Sequence, residues 1–374
     1  MSHKLLGGRF IGQASYLIIV LLREAAVLWL ALTISKVALN AQNISYVGAE
    51  ACGKCHAAQL ATQSASAHAH ALSPAARHPL AAHFVPATEL LRPPRFHFQF
   101  RSRGGELRVA VSDGRDSMEL PIEWAFGAGD QAVTFVSRVD ADWYLEHYFT
   151  YYSSLGALAP TPGHEGYRSN TLELARGVLY RSVDPASGIL KCFRCHCTGP
   201  PVIASDREIR PAEVGVRCEG CHGPGSRHVE AASAGRASQS LIQNPGRLSA
   251  SEINLFCGGC HRSPEEGPLS NTAKAWNVRH QPISLSRSGC FLKSQEKLSC
   301  LTCHDPHAKL NRDSASYDRK CASCHGAVRH HSAGEVANCI SCHMPQVSPQ
   351  PHLAFTNHWI GVYSEDNALV PRPQ

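Results

Sequence analysis

One pentapeptide pattern, Cys-x-x-Cys-His, occurs seven times in this 374-residue chain and takes up fourteen of its sixteen cysteines. The occurrences are Cys52/Cys55/His56, Cys192/Cys195/His196, Cys218/Cys221/His222, Cys257/Cys260/His261, Cys300/Cys303/His304, Cys321/Cys324/His325 and Cys339/Cys342/His343. Cysteines at i and i+3 share one face of a helical turn, so both thiols can add to the vinyl groups of a single haem. The histidine at i+4 then lies under the porphyrin and ligates the iron. A zinc ribbon also uses Cys-x-x-Cys, but its knuckles are not each followed by histidine. A disulfide framework has no use for that histidine, and a thioredoxin-like redox pair occurs once, in a βαβ context. Sevenfold repetition therefore predicts seven covalently attached c-type haems.

That density dictates the fold class. Six of the motifs fall between Cys192 and His343. So short a stretch cannot bury enough side chains for a conventional core, and the haems must serve as the apolar filling. Short helices carrying the motifs, joined by Gly- and Pro-containing loops, are expected there. The segment Ala231–Ser240 reads as a flexible connector or exposed loop. A helix is predicted after the first motif, over about Ala57–Leu72, carrying His68 and His70 before Pro74.

Between the first and second motifs the pattern changes. Phe96, Phe98 and Phe100 alternate with His97 and Gln99; Leu107, Val109 and Val111 alternate after Gly104–Gly105; Met118, Leu120 and Ile122 alternate after Asp113–Gly114. Period-two alternation broken by Gly-Gly and Asp-Gly predicts an antiparallel meander over about 95–150. His97 and His147 lie in these runs and read as structural. The expected architecture is a mostly α and irregular multihaem fold with a small antiparallel β insertion. Its parts are an export segment (1–41), a first haem segment (42–94), the haem-free insertion (95–190), a six-haem domain (191–343) and a C-terminal tail (344–374).

Covalent haem attachment takes place outside the bacterial cytoplasm, so export is required. His3, Lys4 and Arg9 precede apolar runs at Phe10–Leu22 and Ala25–Ile34, and small residues follow to Ala41. This reads as a long signal peptide, or as a membrane anchor if it is not cleaved. The formal charge of +6 falls to about −1 once fourteen propionates and seven ferric irons are included, so it does not argue for nucleic acid.

Several stretches resemble the bacterial multihaem cytochromes c related to the tetrahaem electron acceptor of ammonia oxidation, hydroxylamine oxidoreductase and the octahaem reductases. They include Tyr46–Ala69, Phe126–Gly129, Thr161–His164, Cys192–His196 and Cys218–His228, followed by Ser288–His307, Cys339–Pro345 and His352–Ile360. The resemblance implies a haem-packed periplasmic or extracellular protein and leaves the substrate open.

The second axial ligands follow from residue supply. Only Met1, Met118 and Met344 exist; Met1 falls in the export segment and Met344 adjoins the proximal His343. Most haems must therefore be bis-histidine, which implies low potentials. Placement and resemblance together favour His68, His164, His228, His280, His307, His352 and His358 as distal ligands, with His70, His330 and His331 in reserve. The tail histidines are expected to reach back to the first haem or one near Cys192. Cys197 and Cys290 stand outside the motifs; a disulfide between them or free thiols are both compatible with the sequence.

The functional expectation is electron transfer between redox partner proteins or quinol-linked membrane donors, with no nucleic-acid partner. The alternative is an oxidoreductase with one open-coordination haem acting on a nitrogen or sulfur oxyanion. That needs Arg, Lys, His or Tyr beside the open face. No Cys-x-x-Cys-Lys variant is present, and the tyrosines within Tyr148–Tyr152 read as an aromatic core edge.

Overall fold

The structure is a computed structural model and describes residues 44–236, 241–262, 274–295, 297–326 and 338–373. The chain divides into Met1–Ser45 and Tyr46–Gln374, and the description concerns the second unit. The export segment lies outside the described residues. Among those described, no helix is long and apolar enough to cross a membrane.

The β region is larger than one meander. Strands β1 (Leu72–Pro74), β2 (Thr88–Arg92), β3 (Phe96–Arg103), β4 (Glu106–Ser112), β5 (Ser117–Ile122) and β6 (Trp124–Phe126) come first. They are followed by β7 (Ala132–Arg138), β8 (Trp143–Tyr152), β9 (Ala157–Pro160) and β10 (Gly177–Arg181). The order β2-β3-β4-β5 forms one antiparallel sheet; β1-β6-β7-β8-β10 forms a second, with β9 also on β8. Gly104 and Gly105, both at positive φ, make the tight β3–β4 turn that the alternation required.

The two sheets bury their facing sides against each other. Phe96, Phe98, Phe100, Leu107, Val109 and Val111 pack with Phe135 and Phe149 in one apolar cluster. The Phe98 and Phe149 rings meet edge to face, 5.0 Å between centroids. Tyr148, Tyr151 and Tyr152 are buried here. His97 is exposed on β3. His147 is fully buried, its Nε2 2.7 Å from Ser137 Oγ. Ser137 Oγ already donates to the Pro121 carbonyl, so His147 donates through Nε2. The second sheet escaped the alternation pattern because β8 is buried on both faces along most of its length.

The remainder is short helices: α1 (Ala49–Gly53), α2 (Ala57–Ser64), α3 (Leu172–Ala175), α4 (Gly188–His196), α5 (Cys218–His222), α6 (Ser226–Ser233) and α7 (Ala250–His261). Next come α8 (Gln281–Ser286), α9 (Gly289–Lys293), α10 (Cys300–Cys303), α11 (Ser314–His325) and α12 (Cys339–His343). Two-residue strands β11 (Cys197–Thr198), β12 (Val202–Ile203), β13 (Ile209–Arg210) and β14 (Glu213–Val214) lie between α4 and α5. A hairpin of β15 (Gln346–Gln350) and β16 (Leu353–Thr356) follows α12.

Two local expectations are corrected. The helix after the first motif stops at Ser64, not Leu72, leaving His68 and His70 in turns. Ser66 Oγ accepts from Ala69 N–H, offering the backbone an alternative to helix continuation. The supposed connector at 231–240 begins inside α6, which runs to Ser233. The sheets also start at Leu72, inside the segment assigned to the first haem. Helix α4, which ends with the second motif, packs on the second sheet through Ile189, Leu190 and Phe193 against Phe126, Val136 and Tyr144.

Candidate haem-binding sites

Each motif sits on a single helical turn. The second, third, fourth, sixth and seventh end α4, α5, α7, α11 and α12, with the histidine as the last helical residue. The fifth fills α10, with His304 at its C-cap, and the first has Cys52 in α1 with Cys55 and His56 just beyond. No disulfide joins the fourteen motif cysteines, and all are half-buried or exposed, as addition to a cofactor requires.

In four motifs the second cysteine, Cys195, Cys260, Cys324 or Cys342, has a protein neighbour at its sulfur. Cys195, half-buried in α4, lies within hydrogen-bonding reach of Cys260 in the fourth motif. Cys324 is exposed in α11, its sulfur 4.0 Å from Ser323 Oγ. Cys342 is exposed in α12, its sulfur 3.7 Å from Ser341 Oγ. The motif spacing gave no sign of these contacts, which depend on the residue beside the cysteine or on the fold. They are weak, since sulfur is a poor hydrogen-bonding atom. Ser323 and Ser341 bond more closely to the Lys320 and Asn338 carbonyls, at 2.7 and 2.8 Å.

Three of the seven motif imidazoles are each held by a backbone carbonyl. His196 Nδ1 lies 2.8 Å from the Ala71 carbonyl, His222 Nδ1 2.9 Å from Gln243 O and His343 Nδ1 2.9 Å from Gly361 O. A carbonyl can only accept, so each Nδ1 carries the proton and each Nε2 keeps its lone pair for a metal. His358 is held the same way, Nδ1 3.0 Å from Thr356 O. Burial lowers the pKa of His196, and that of His358 to about 4, which keeps these rings neutral.

Three motif histidines face a second imidazole. Ring centroids are 6.1 Å apart for His261 and His68, 6.0 Å for His222 and His307, and 6.2 Å for His304 and His358. A metal bound between two ring nitrogens at about 2 Å from each sets the ring centres about 6 Å apart. The donor set fits haem iron. Among the described residues, no group of three or more His, Cys, Asp or Glu converges on a bare metal position.

The other expected distal ligands are placed differently. His228 on α6 has a buried Nδ1 without a hydrogen-bond partner, and His280 before α8 has such an Nε2. Burial, with Arg262 and Arg279 nearby, lowers the His280 pKa to about 4. His164 is in the β region, its Nε2 3.4 Å from Glu146 Oε2 and its ring beside those of Tyr148 and Tyr167. Its ε nitrogen thus faces a carboxylate. His352 is exposed at positive φ, its ring 5.6 Å from that of Tyr152. Of the two tail histidines, His358 meets a motif histidine, and that is His304, not one of the early motifs expected from sequence. His330 and His331 lie outside the described residues. Cys197 is buried with Sγ toward the Gly199 carbonyl, Cys290 is half-buried, and both are free thiols.

Sequence reasoning missed the residues that set the motifs in place. Asn254 Oδ1 accepts from Cys300 N–H and joins α7 to α10. Glu219, inside the third motif, is buried and accepts from backbone amides on both sides of it. An acidic residue within the motif, followed by Gly-Pro-Gly, was the available signal.

Comparison with known proteins agrees with this chemistry. Residues 170–223 match the family of cytochrome c554 and c-prime. Over 186 residues the chain is 23% identical to the multiheme cytochrome MtrA of Shewanella baltica (strain OS185), covering 44% of this chain and 55% of that protein. The chain thus spans about half the length of this curated relative. No solved structure matches. The chain is thus similar to multihaem cytochromes c over part of its length.

Proposed function

We propose that this chain is an exported seven-haem c-type cytochrome that transfers electrons through mostly bis-histidine, low-potential centres. The observation that carries the reading is the set of three imidazole pairs at 6.0–6.2 Å, each joining a motif histidine to one from a distant part of the chain. On this reading His68 serves the fourth motif, His307 the third and His358 the fifth, supported by the paired rings. All fourteen motif cysteines serve as attachment residues, Cys195, Cys324 and Cys342 giving up their weak protein contacts for thioether bonds. Bound haem supplies a one-electron ferric/ferrous couple. The chain holds each ring in one tautomer and in neutral form. Redox partner proteins or quinol-linked membrane donors are the proposed partners, and membrane association would run through the N-terminal segment.

The ferric spectrum tests this. Paired imidazoles predict predominantly low-spin iron, and His358→Ala should convert one centre to a high-spin, ligand-exchangeable form without loss of any haem. A protein that is high-spin throughout, or a His358→Ala spectrum identical to wild type, would remove the basis for the assignment.

A second reading, an oxidoreductase with one open haem, is favoured by one polar cluster. Tyr180 Oη donates to Glu146 Oε2 at 2.9 Å, and His164 lies against the same carboxylate. Tyr180 also packs in the apolar cluster that contains Cys192 of the second motif. Cyanide or azide binding to a minority high-spin centre, lost on replacing His196, would favour this reading.

A further inference from the structure

Glu219 is the second residue of the third motif, and its surroundings are unlike those of a surface acid. It is 2% exposed. Its carboxylate accepts from three backbone amides: Oε2 from Gly48 N–H at 2.7 Å, Oε1 from Gly225 N–H at 2.7 Å, and both oxygens from Val47 N–H at 3.0 Å. Val47 and Gly48 lead directly into α1 and the first motif, 172 and 171 residues away in sequence. A second carboxylate completes the hold, since Ala49 N–H donates to Glu213. The amides at the entrance to α1, which have no partner within the helix, are thus satisfied by acids in and just before the third motif.

Packing closes in on the same point. A Cβ at Gly225 would stand 3.3 Å from Glu219 Oε1 and 3.6 Å from Val47 Cγ2, so glycine allows the approach. On the other side of the contact, the Cys52 and Cys218 thiols are within hydrogen-bonding reach of each other. These are the leading attachment residues of the first and third motifs. Nothing in the local sequence brings them together.

We propose that Glu219 is the positioning residue that fixes the first haem site against the third, setting the separation across which electrons pass between them. The inference rests on both motifs carrying haem. It adds that their contact is made by a buried carboxylate and not by the cofactors alone. Hydrogen bonds from backbone amides to an ionised acceptor are stronger and more directional than neutral ones. Three donors on one side chain hold the entry segment in a single position. Glutamine would keep the shape but lose the charge and half of the accepting capacity.

The test is made on the full-length haem-loaded protein. Intact mass is read first. Seven haems in wild type and in Glu219→Gln show that both sites are filled, and a missing first or third haem in wild type would overturn the underlying reading instead. With both filled, Glu219→Gln should lose the spin–spin interaction between two ferric haems in the electron paramagnetic resonance spectrum. The exposed control Glu230→Gln should keep it. An interaction unchanged in Glu219→Gln overturns the proposal. If the variant does not fold, wild-type hydrogen exchange decides. The Val47, Gly48 and Gly225 amides should exchange at least roughly tenfold more slowly than unstructured chain. Exchange at the unstructured rate overturns the proposal.

Discussion

The paired sheets and the motif helices α10–α12 solve the problem of a core in opposite ways. In the sheets, Phe96, Phe98, Phe100, Phe135 and Val109 are at most 1% exposed and pack on one another. In α10, α11 and α12 no residue is buried at all. The first region carries its apolar filling in its own sequence. The second carries thiols and imidazoles instead, among them Cys324 and Cys342, and on the proposed reading its filling is added covalently. Chemistry written in the sequence as ligands is therefore also a statement about stability.

The largest expected effect follows from that contrast. Protein produced without haem attachment should keep slow hydrogen exchange in β3, β4, β7 and β8. Residues 300–326 should exchange at unstructured rates. Equal protection of both regions would mean that the helices hold themselves together and that the comparison is wrong.

A core truncation tests the other side. Phe98→Ala removes a ring packed on Phe149 and should cost about 3–5 kcal/mol in the denaturant transition of the sheets. The number of attached haems should not change. Loss of haem from this variant would show that the sheets are needed to form the haem sites.

Acid sharpens the contrast further. Burial, with Arg176 nearby, lowers the His147 pKa to about 3. Below an ordinary histidine pKa of about 6.5 the unfolded chain takes up a proton that the folded sheets refuse. The sheets should then lose about 1.4 kcal/mol of stability per pH unit, from about pH 6.5 down toward 3. Depressed carboxylates such as Asp142, held low by Arg181, add their loss only below the ordinary carboxylate range. His147→Gln should flatten the upper part of that window, as read by urea unfolding at pH 7, 6 and 5. An unchanged slope would place the acid sensitivity elsewhere.

The smallest effect belongs to the sheet surface. Arg101 and Glu119 are ion-paired but about one-third exposed, and Arg108 shares the same carboxylate. Glu119→Gln should cost under about 1 kcal/mol, and less in high salt. A larger loss would mean that surface pairing contributes more to the sheets than their core comparison allows.

How much of this was legible in the sequence depended on the range of the signal. The attachment motifs are local, and so are the alternation of Phe96–Phe100 and the Gly104–Gly105 turn; each is written within a few residues. Strand β8 falls mostly inside the expected 95–150 span, but its place in a second sheet was illegible because burial on both faces erases alternation. The imidazole pairs were beyond reach for another reason: His68 and His261, or His304 and His358, meet through the fold, and no local pattern records it. The approach of Cys195 to Cys260 was hidden in the same way. The tail illustrates both kinds of signal. Leu353 in the tail hairpin is buried, and the motif histidine that His358 meets, His304, is not one of the early motifs expected.

The most direct test of the central claim is the intact mass of the purified, exported chain. Seven Cys-x-x-Cys-His motifs, each on one helical turn with accessible thiols, predict a mass increased by seven covalent haems. A mass corresponding to five or fewer would contradict the claim that these motifs all exist to hold haem.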